Sequence, residues 1–524
     1  MLHTGNGKAA RPQTPVRLSP VDEAAPFPAV SAASQDELQR AVTTARVAQP
    51  EWASRPLEER ARLLERAAKA MLRDRNLLLH LVKEEMGKHE VESLFTEALG
   101  PLDAVKAWHK IVARSQSRRV SLNPLAFPRK RARVEMVPRG VIGIIAPWNF
   151  PVSGLYRSVV PALLSGNAVV LKPSEYTPKS SAWFMEHFAR ELPHGIATVV
   201  QGDGAVGAAL VDSGIDACVF TGSVKAGGRV RVRCAELGIP SSIEMGGKDA
   251  AIVLGDCDLD RTVMGITHWA LSNAGQACGA IEVAYVEERI ADEFVARMRS
   301  AWEQLRTGPG DDDVEVAPLA NARQLAVVEA HVEDALKKGA KLVCGGKRTG
   351  RGFGHLPTLL DRCTSSMDVV REETFGPVLA VVRVWGADEA VRAINAAKYG
   401  LGASIWTRDV ARAERLVERL DVGVANINTH AFTGAVPQLP WSGTRATGFG
   451  VANSELSLVN FCHPKTVAID EADAPEPFYM PFDATLRQLG EALVKAQLGE
   501  LLGAVKLPLL LRRRQKRIRD FFRR

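Results

Sequence analysis

No run of this 524-residue chain is apolar over anything near the roughly 20 residues needed to cross a bilayer. The N-terminus, Met1 to Thr14, lacks the apolar centre of a secretory signal, so cytoplasmic residence is expected. No C-x-x-C occurs. The seven cysteines, at 218, 234, 257, 278, 344, 363 and 462, are odd in number, which argues against a disulfide framework or a zinc cluster, and no metal is expected. There is no internal repeat of solenoid period. Nor is there much net charge in the body. Residues 475–524 hold 11 Lys+Arg against 5 Asp+Glu, so they supply nearly all of the formal +7. Basicity is a property of the tail, and nucleic-acid binding by the main fold is not implied.

What is present is an ordinary globular composition, 46% apolar and 24% charged, long enough for several domain-sized units. Residues 1–20 are polar and Pro-rich and read as a loose arm. From Ser34 to about Lys110 apolar residues recur at three- and four-residue spacing, which predicts helices. Ser34 with Glu37 forms a capping-box pattern. Short β-rich runs follow at Val141–Ala146, Ala168–Leu171, Ile196–Val200, Ala217–Phe220 and Ser242–Glu244. A second set lies at Ala250–Val253, Val283–Val286, Val378–Val384 and Ala403–Trp406. Candidate helices separate them, and the alternation predicts parallel βαβ units in an α/β fold.

Several segments could carry chemistry. Gly202-Asp-Gly204-Ala-Val-Gly207 is a literal G-x-G-x-x-G after a strand, but no acidic residue follows over 222–235, where a dinucleotide fingerprint wants one. The turn Phe220-Thr-Gly222-Ser223, opening a helix near Gly227, is better placed for a pyrophosphate, because free N–H groups and the helix dipole favour an anion. Asn149 and Glu244 stand at strand ends, where open parallel sheets bind ligands. Cys278 sits in Asn273-Ala-Gly-Gln-Ala-Cys. Taken singly, each has a plainer reading: a helix cap, a solvated carboxylate, a small buried thiol.

Taken together, Pro147–Pro151, Leu171–Glu175, Phe220–Ser223, Glu244–Lys248, Gly275–Cys278 and Glu372–Pro377 occur in an order and spacing that resembles the aldehyde dehydrogenase superfamily. The resemblance covers about residues 30–468. It implies an α/β fold with a Rossmann-like cofactor domain (20–118 and 139–246), a catalytic domain (247–446) and a small β oligomerisation flap (119–138 and 447–470), assembled as a dimer or tetramer. It also implies NAD-dependent oxidation of an aldehyde to an acid, with NADP as a second possibility. Cys278 would be the nucleophile, Asn149 an oxyanion donor and Glu244 the base that hydrolyses a thioester. Trp148, Lys172, Ser174, Glu175, Gly222, Ser223, Gly227, Glu373 and Phe375 would hold the cofactor. Glu175 would favour NAD, since a carboxylate accepts from ribose hydroxyls and repels a 2′-phosphate. The Gly202–Gly207 motif then becomes a structural turn. Glu282-Val283 departs from the usual Glu-Arg, with altered local pairing expected. Val224 and Met245 are milder departures.

Arg157, eight residues past Asn149, suits a substrate carboxylate and so a semialdehyde. In the tail, Leu493, Val494, Leu498, Leu501, Leu502 and Val505 read as one helical face that Pro508 interrupts. Arg512, Arg513, Arg514, Lys516, Arg517, Arg519, Arg523 and Arg524 follow, interleaved with apolar residues. That composition suits an anionic membrane surface at the inner face of a membrane and, with it, a long apolar aldehyde. A helix packed on the body is the plainer reading. Two further functions are open: a catalytically silent membrane-bound scaffold of the same fold, and esterase chemistry at Cys278.

Overall fold

The computed structural model describes residues 17–523, except 23–24, 28–29, 124–126, 128 and 310–313. The Pro-rich arm therefore lies outside the described residues up to 16; its end, Arg17–Leu18, pairs antiparallel with Pro26–Phe27. Two compact units divide the chain: residues 1–116 with 136–463, and residues 117–135 with 464–524.

In the first unit, Ser34 opens helix Gln35–Ser54 with a full capping box: its hydroxyl accepts from Glu37 N–H, and the Glu37 carboxylate accepts from Ser34 N–H. Further helices follow at Leu57–Arg73, Arg75–Met86 and Gly100–Ser115. They bury large side chains such as Trp52 and Trp108 in the core around the first sheet.

That sheet runs, edge to edge, Gly448–Phe449, Ser241–Glu244, Ala217–Thr221, Val141–Ile145, Ala168–Lys172, Ala197–Val199. All are parallel except Gly448–Phe449, which lies antiparallel with Gly448 opposite Glu244. Val141–Ile145 and Ala168–Lys172 are buried at every residue. Helices cover both faces of a parallel sheet, so such strands read as unbroken apolar runs rather than alternations.

The second sheet runs Lys341–Cys344, Thr358–Asp361, Val378–Val384, Ile281–Glu287, Asp249–Val253, Gly402–Trp406, Val424–Ile427. Only the edge strand Lys341–Cys344 is antiparallel. It has a hydrophobic core of its own. A short connection, from Met245 to Lys248, joins strand Ser241–Glu244 of one sheet to strand Asp249–Val253 of the other. Glu244 therefore stands where the two sheets meet.

The second unit contains a three-stranded sheet ordered Cys462–Asp470, Lys130–Pro138, Ser117–Val120. Lys130 pairs with Asp470 at 2.6 Å and with Glu476 at 2.8 Å. The expected single tail face is corrected here. The first helix ends at Gln497, Gly499 takes a left-handed φ of 81°, and a new helix runs Leu501–Phe522. Glycine takes that conformation without a Cβ penalty and breaks the face in two. The side chains of Leu501 and Leu502, and Arg524, lie outside the described residues. Pro508 does not interrupt the helix: it is exposed, and its ring removes a single backbone donor there. Arg514 is fully buried. Its guanidinium donates to the carbonyls of Pro477, Tyr479 and Pro481 and to the side chains of Asp483 and Thr485. Asp483 also takes Arg517 at 2.9 Å, and the Thr485 hydroxyl, then Arg517, hold its carboxyl well below the usual carboxylate range.

Candidate active site

The residues proposed for catalysis come from distant parts of the chain: Asn149 and Glu244 from the carboxyl ends of strands in the first sheet, Cys278 from just before strand Ile281–Glu287 of the second. Asn149 follows strand Val141–Ile145 by four residues and is buried. Its side-chain amide donates to the Gln276 carbonyl at 3.0 Å, and its own carbonyl accepts from Asn273 Nδ2 at 2.9 Å. The next helix, Ser153–Leu164, is anchored by Glu97, which accepts from Val152 N–H at 3.0 Å and Ser153 N–H at 2.8 Å. Glu97 is in turn paired at 2.8 Å with Lys88, both side chains fully buried.

Cys278 lies at the end of a tightly bent segment. Asn273, Ala274 and Gly275 all have left-handed φ (53°, 54° and 72°). For two non-glycine residues this is strained, and the surroundings must impose it. Gln276 does so from within: its side chain donates to Asn273 O at 2.9 Å and accepts from Ala320 N–H at 2.9 Å. Gly247 packs against the Cys278 carbonyl so closely that a Cβ there would sit 2.5 Å from its oxygen.

The Cys278 thiol points at Glu244, with Sγ 3.7 Å from Oε1. The same oxygen accepts from Trp441 Nε1 at 2.8 Å. Burial, then the neighbouring Glu244, push the thiol well above its ordinary value, and Arg157 opposes them. At rest the cysteine therefore keeps its proton. The Arg157 guanidinium lies 5.2 Å from the Trp441 ring centre. Its Nε and one Nη are buried without a hydrogen-bond partner. Cys278, Arg157 and Trp441 line a cavity of about 1780 Å³ that extends to Phe95, Leu99 and Met264. Phe95 and Met264 are 68% and 65% exposed, so the rim is apolar.

A separate set of residues could hold a dinucleotide. The turn Gly222–Ser223 leaves strand Ala217–Thr221 and opens helix Val224–Glu236. Ser223 caps that helix by accepting from Ala226 N–H, and a Cβ on Gly227 would meet Met245 Sδ at 2.7 Å. Lys172 ends its strand 3.7 Å from Glu175, and burial lowers its pKa. Ser174 is buried, its hydroxyl accepting from Tyr176 N–H at 3.2 Å. Trp148 packs edge-on against Phe375, centres 5.5 Å apart. Glu373 accepts from Gly247 N–H at 3.0 Å; burial and Glu282 push it up to about 8. A helix N-terminus at a strand's carboxyl end, with a carboxylate and an ammonium at the end of the strand two places along the same sheet, fits a dinucleotide. In the Gly202–Gly207 segment, Gly202 and Asp203 lead into helix Gly204–Val211, which Asp203 caps, and Lys172 Nζ donates to the Gly202 carbonyl at 3.3 Å.

Three features escape local reading of the sequence. Trp441 is far in sequence from the Glu244 it touches. The Lys248–Glu282 ion pair is buried, and Glu282 also accepts from the N–H groups of Thr374 and Phe375, both at 2.8 Å. Lys248 is the cation that faces Glu282. Finally, buried His430 reaches the Gly279 carbonyl at 3.0 Å and Asp249 at 3.4 Å.

The model of the aldehyde dehydrogenase family matches residues 9–467. A 4,4'-diapolycopene aldehyde oxidase of Methylomonas is 36% identical over 451 residues, 86% of this chain and 84% of that protein. A Mycobacterium ulcerans protein provisionally named succinate-semialdehyde dehydrogenase (NADP+) 2 is 33% identical, covering 84% of this chain and 86% of its own length. The NAD+ complex of an aldehyde dehydrogenase from Bacillus cereus superposes with a TM-score of 0.83 at 27% identity, over 88% of this chain and 94% of that one.

Proposed function

Because this chain belongs to the aldehyde dehydrogenase family, we propose that it oxidises a large, mainly apolar aldehyde to its acid, using Cys278 as nucleophile and NAD in preference to NADP. The observation that carries the chemistry is the 3.7 Å approach of Cys278, which lines the cavity, to Glu244, with Asn149 hydrogen-bonded two residues before Cys278 at Gln276.

The Cys278 thiol gives up its proton to water. The sulfur then bonds to the aldehyde carbon, and the carbonyl π pair moves to oxygen. The second N–H of the Asn149 amide and the Cys278 backbone N–H meet that oxyanion; one such donor is typically worth 10²–10³ in rate. NAD, when bound, supplies the hydride acceptor. The oxygen lone pair re-forms the carbonyl as hydride leaves carbon, and a thioester remains on Cys278. Glu244 takes a proton from water, the hydroxide adds to the thioester, and the C–S bond breaks to give the acid and the thiolate. Lys172 and Glu175 would hold the adenosine ribose, with Ser174 beside them. Gly222, Ser223 and Gly227 would form the pyrophosphate turn. Trp148, Glu373 and Phe375 would position the nicotinamide side. In this reading residues 20–118 and 139–246 bind cofactor, 247–446 carry catalysis, and the flap (119–138, 447–470) builds a dimer or tetramer.

The volume and apolar rim of the cavity support a long substrate over a short polar one. NADH formation across aliphatic, aromatic and semialdehyde substrates tests this, with Cys278→Ala beside the natural protein. Turnover should rise with chain length and vanish in the variant. Turnover confined to short polar aldehydes would overturn the substrate reading; turnover retained by Cys278→Ala would overturn the mechanism.

A second reading, a semialdehyde, is favoured by the unpartnered buried donors of Arg157. A carboxylate would satisfy them. Arg157→Ala should then raise KM for a semialdehyde and leave neutral aldehydes unchanged. Equal effects on both would remove it. The basic segment 475–524 further supports peripheral attachment to a membrane, where long apolar aldehydes partition.

A further inference from the structure

We propose that one face of the last helix, Leu501–Phe522, is a docking surface for an anionic lipid bilayer; this rests on the membrane reading of the tail and names the face that carries it. The helix is inward-facing at Arg514 and Ile518, both buried, and Arg514 ties it to the preceding loop. On the opposite side, Val505, Leu509, Arg512, Lys516, Arg519 and Arg523 recur at alternating four- and three-residue spacing, which places them in one stripe. All six are exposed, Val505 at 71% and Leu509 at 55%. The stripe is apolar over its first two turns and cationic thereafter. Among the described residues, none of Arg512, Lys516, Arg519 and Arg523 forms an ion pair, whereas Arg514 and Arg517, off the stripe, are both held by Asp483. The fold thus spends its inward arginines on structure and leaves four outward cations unmatched.

Those cations call for an anionic partner, and the apolar residues in line with them call for one with an apolar layer beneath its charge. A bilayer with acidic headgroups has both. Aliphatic stems of Arg and Lys can lie along such a surface with the charge at the headgroups. Among the described residues no helix is long and apolar enough to cross a membrane, so the contact lies on the surface. Lipid attachment here would retain the protein where an apolar aldehyde is dissolved.

The test is co-sedimentation of the full-length protein with vesicles of phosphatidylcholine containing 30% phosphatidylserine, against pure phosphatidylcholine. The quadruple variant Arg512→Ser, Lys516→Ser, Arg519→Ser, Arg523→Ser removes the stripe's charge. A control, Lys506→Ser with Arg513→Ser, removes charge off the stripe, and Phe478→Ser with Phe482→Ser tests the exposed aromatic loop before Asp483. Each basic residue near such a surface contributes about fivefold in partitioning, the equivalent of about 1 kcal/mol. The quadruple variant should therefore lose at least a hundredfold in affinity for the acidic vesicles, and Val505→Asp with Leu509→Asp should also lose binding. The off-stripe control should fall more modestly, and the loop variant should bind as before. Turnover of a short, water-soluble aldehyde should be unchanged in every variant with an unchanged melting temperature, which separates failure of docking from failure of the proposed catalysis. Equal binding to both vesicle types would overturn the proposal. So would loss of binding in the loop variant but not the quadruple one, a quadruple variant whose only change is in oligomeric mass, or tighter binding to a single-stranded RNA 20-mer than to the acidic vesicles.

Discussion

Trp441 donates its indole N–H to Glu244 at 2.8 Å, on the carboxylate oxygen that also faces the Cys278 thiol. One oxygen of the proposed base is thus fixed by a residue from the second half of the chain, and the other remains for water. Trp441→Phe keeps an aromatic ring near Arg157, removes the donor and trims the bicycle that packs at Gly279 and Gly434. We predict a fall of about tenfold in kcat, the equivalent of one lost bond of about 1.5 kcal/mol to a charged group. KM for the aldehyde should change little. Steady-state kinetics with a short aldehyde reads it; an unchanged kcat would show that the bond does not orient the base.

Glu244→Gln separates the two halves of the proposed reaction. General-base assistance is typically worth 10²–10⁴, so steady turnover should drop by about that factor. Stopped-flow measurement should still show a burst of NADH of about one equivalent per site, because thioester formation precedes water attack. A variant that lost the burst and the steady rate together would place Glu244 in thiol activation instead.

Much of this arrangement was legible in the chain. Strand Val378–Val384 has the bounds its apolar run predicts, and Ser34 with Glu37 caps its helix as the pattern says. Buried parallel strands and caps are local signals, read over four to seven residues. The edge strand Lys341–Cys344 carries no such run: it is exposed or half-buried throughout. Thr358–Asp361 and Val424–Ile427 are only four residues long. The motif order placed Asn149, Glu244 and Cys278 in one resemblance. It did not announce Trp441, whose bond to Glu244 exists only after the two sheets have met. In the tail, Gly499 ended a helix that periodicity alone would continue.

Glu373 links stability to pH. Its carboxyl is pushed from the ordinary 4.5 up to about 8, first by burial and then by Glu282. The folded state therefore holds a proton that the unfolded state releases. That contribution is fully present below about pH 4.5 and is lost as pH rises to about 8. Glu373→Gln cannot titrate. Its melting temperature, relative to the natural protein, should rise steadily between pH 5 and 8 and level off above. Parallel curves across that range would show that Glu373 is ionised in the fold.

The Lys88–Glu97 pair is a stronger test of the scaffold. Both side chains are fully buried, and Glu97 also holds the backbone N–H groups of Val152 and Ser153. Glu97→Gln leaves Lys88 charged in an apolar interior, which typically costs 3–5 kcal/mol. We predict a loss of about that size in chemical denaturation, and a looser start to the helix after Asn149. Replacing both residues with Met should recover part of the loss, since no unpaired charge remains.

Gly247 offers the closest link between packing and rate. A methyl there would lie 2.5 Å from the Cys278 carbonyl oxygen and 3.1 Å from Asp249 Oδ1. The carbonyl is backbone, so it cannot turn aside as a side chain would; the nucleophile's own segment has to shift. Displacement of a reacting group by about 1 Å can cost about a hundredfold. Gly247→Ala should therefore lower kcat by about that factor while the protein remains folded. Gly490→Ala, in helix Ala484–Gln497 with nothing within 4 Å of the added Cβ, is the matched control and should keep full activity. If both variants turn over at the natural rate, the Cys278 segment is more pliant than its three left-handed residues imply.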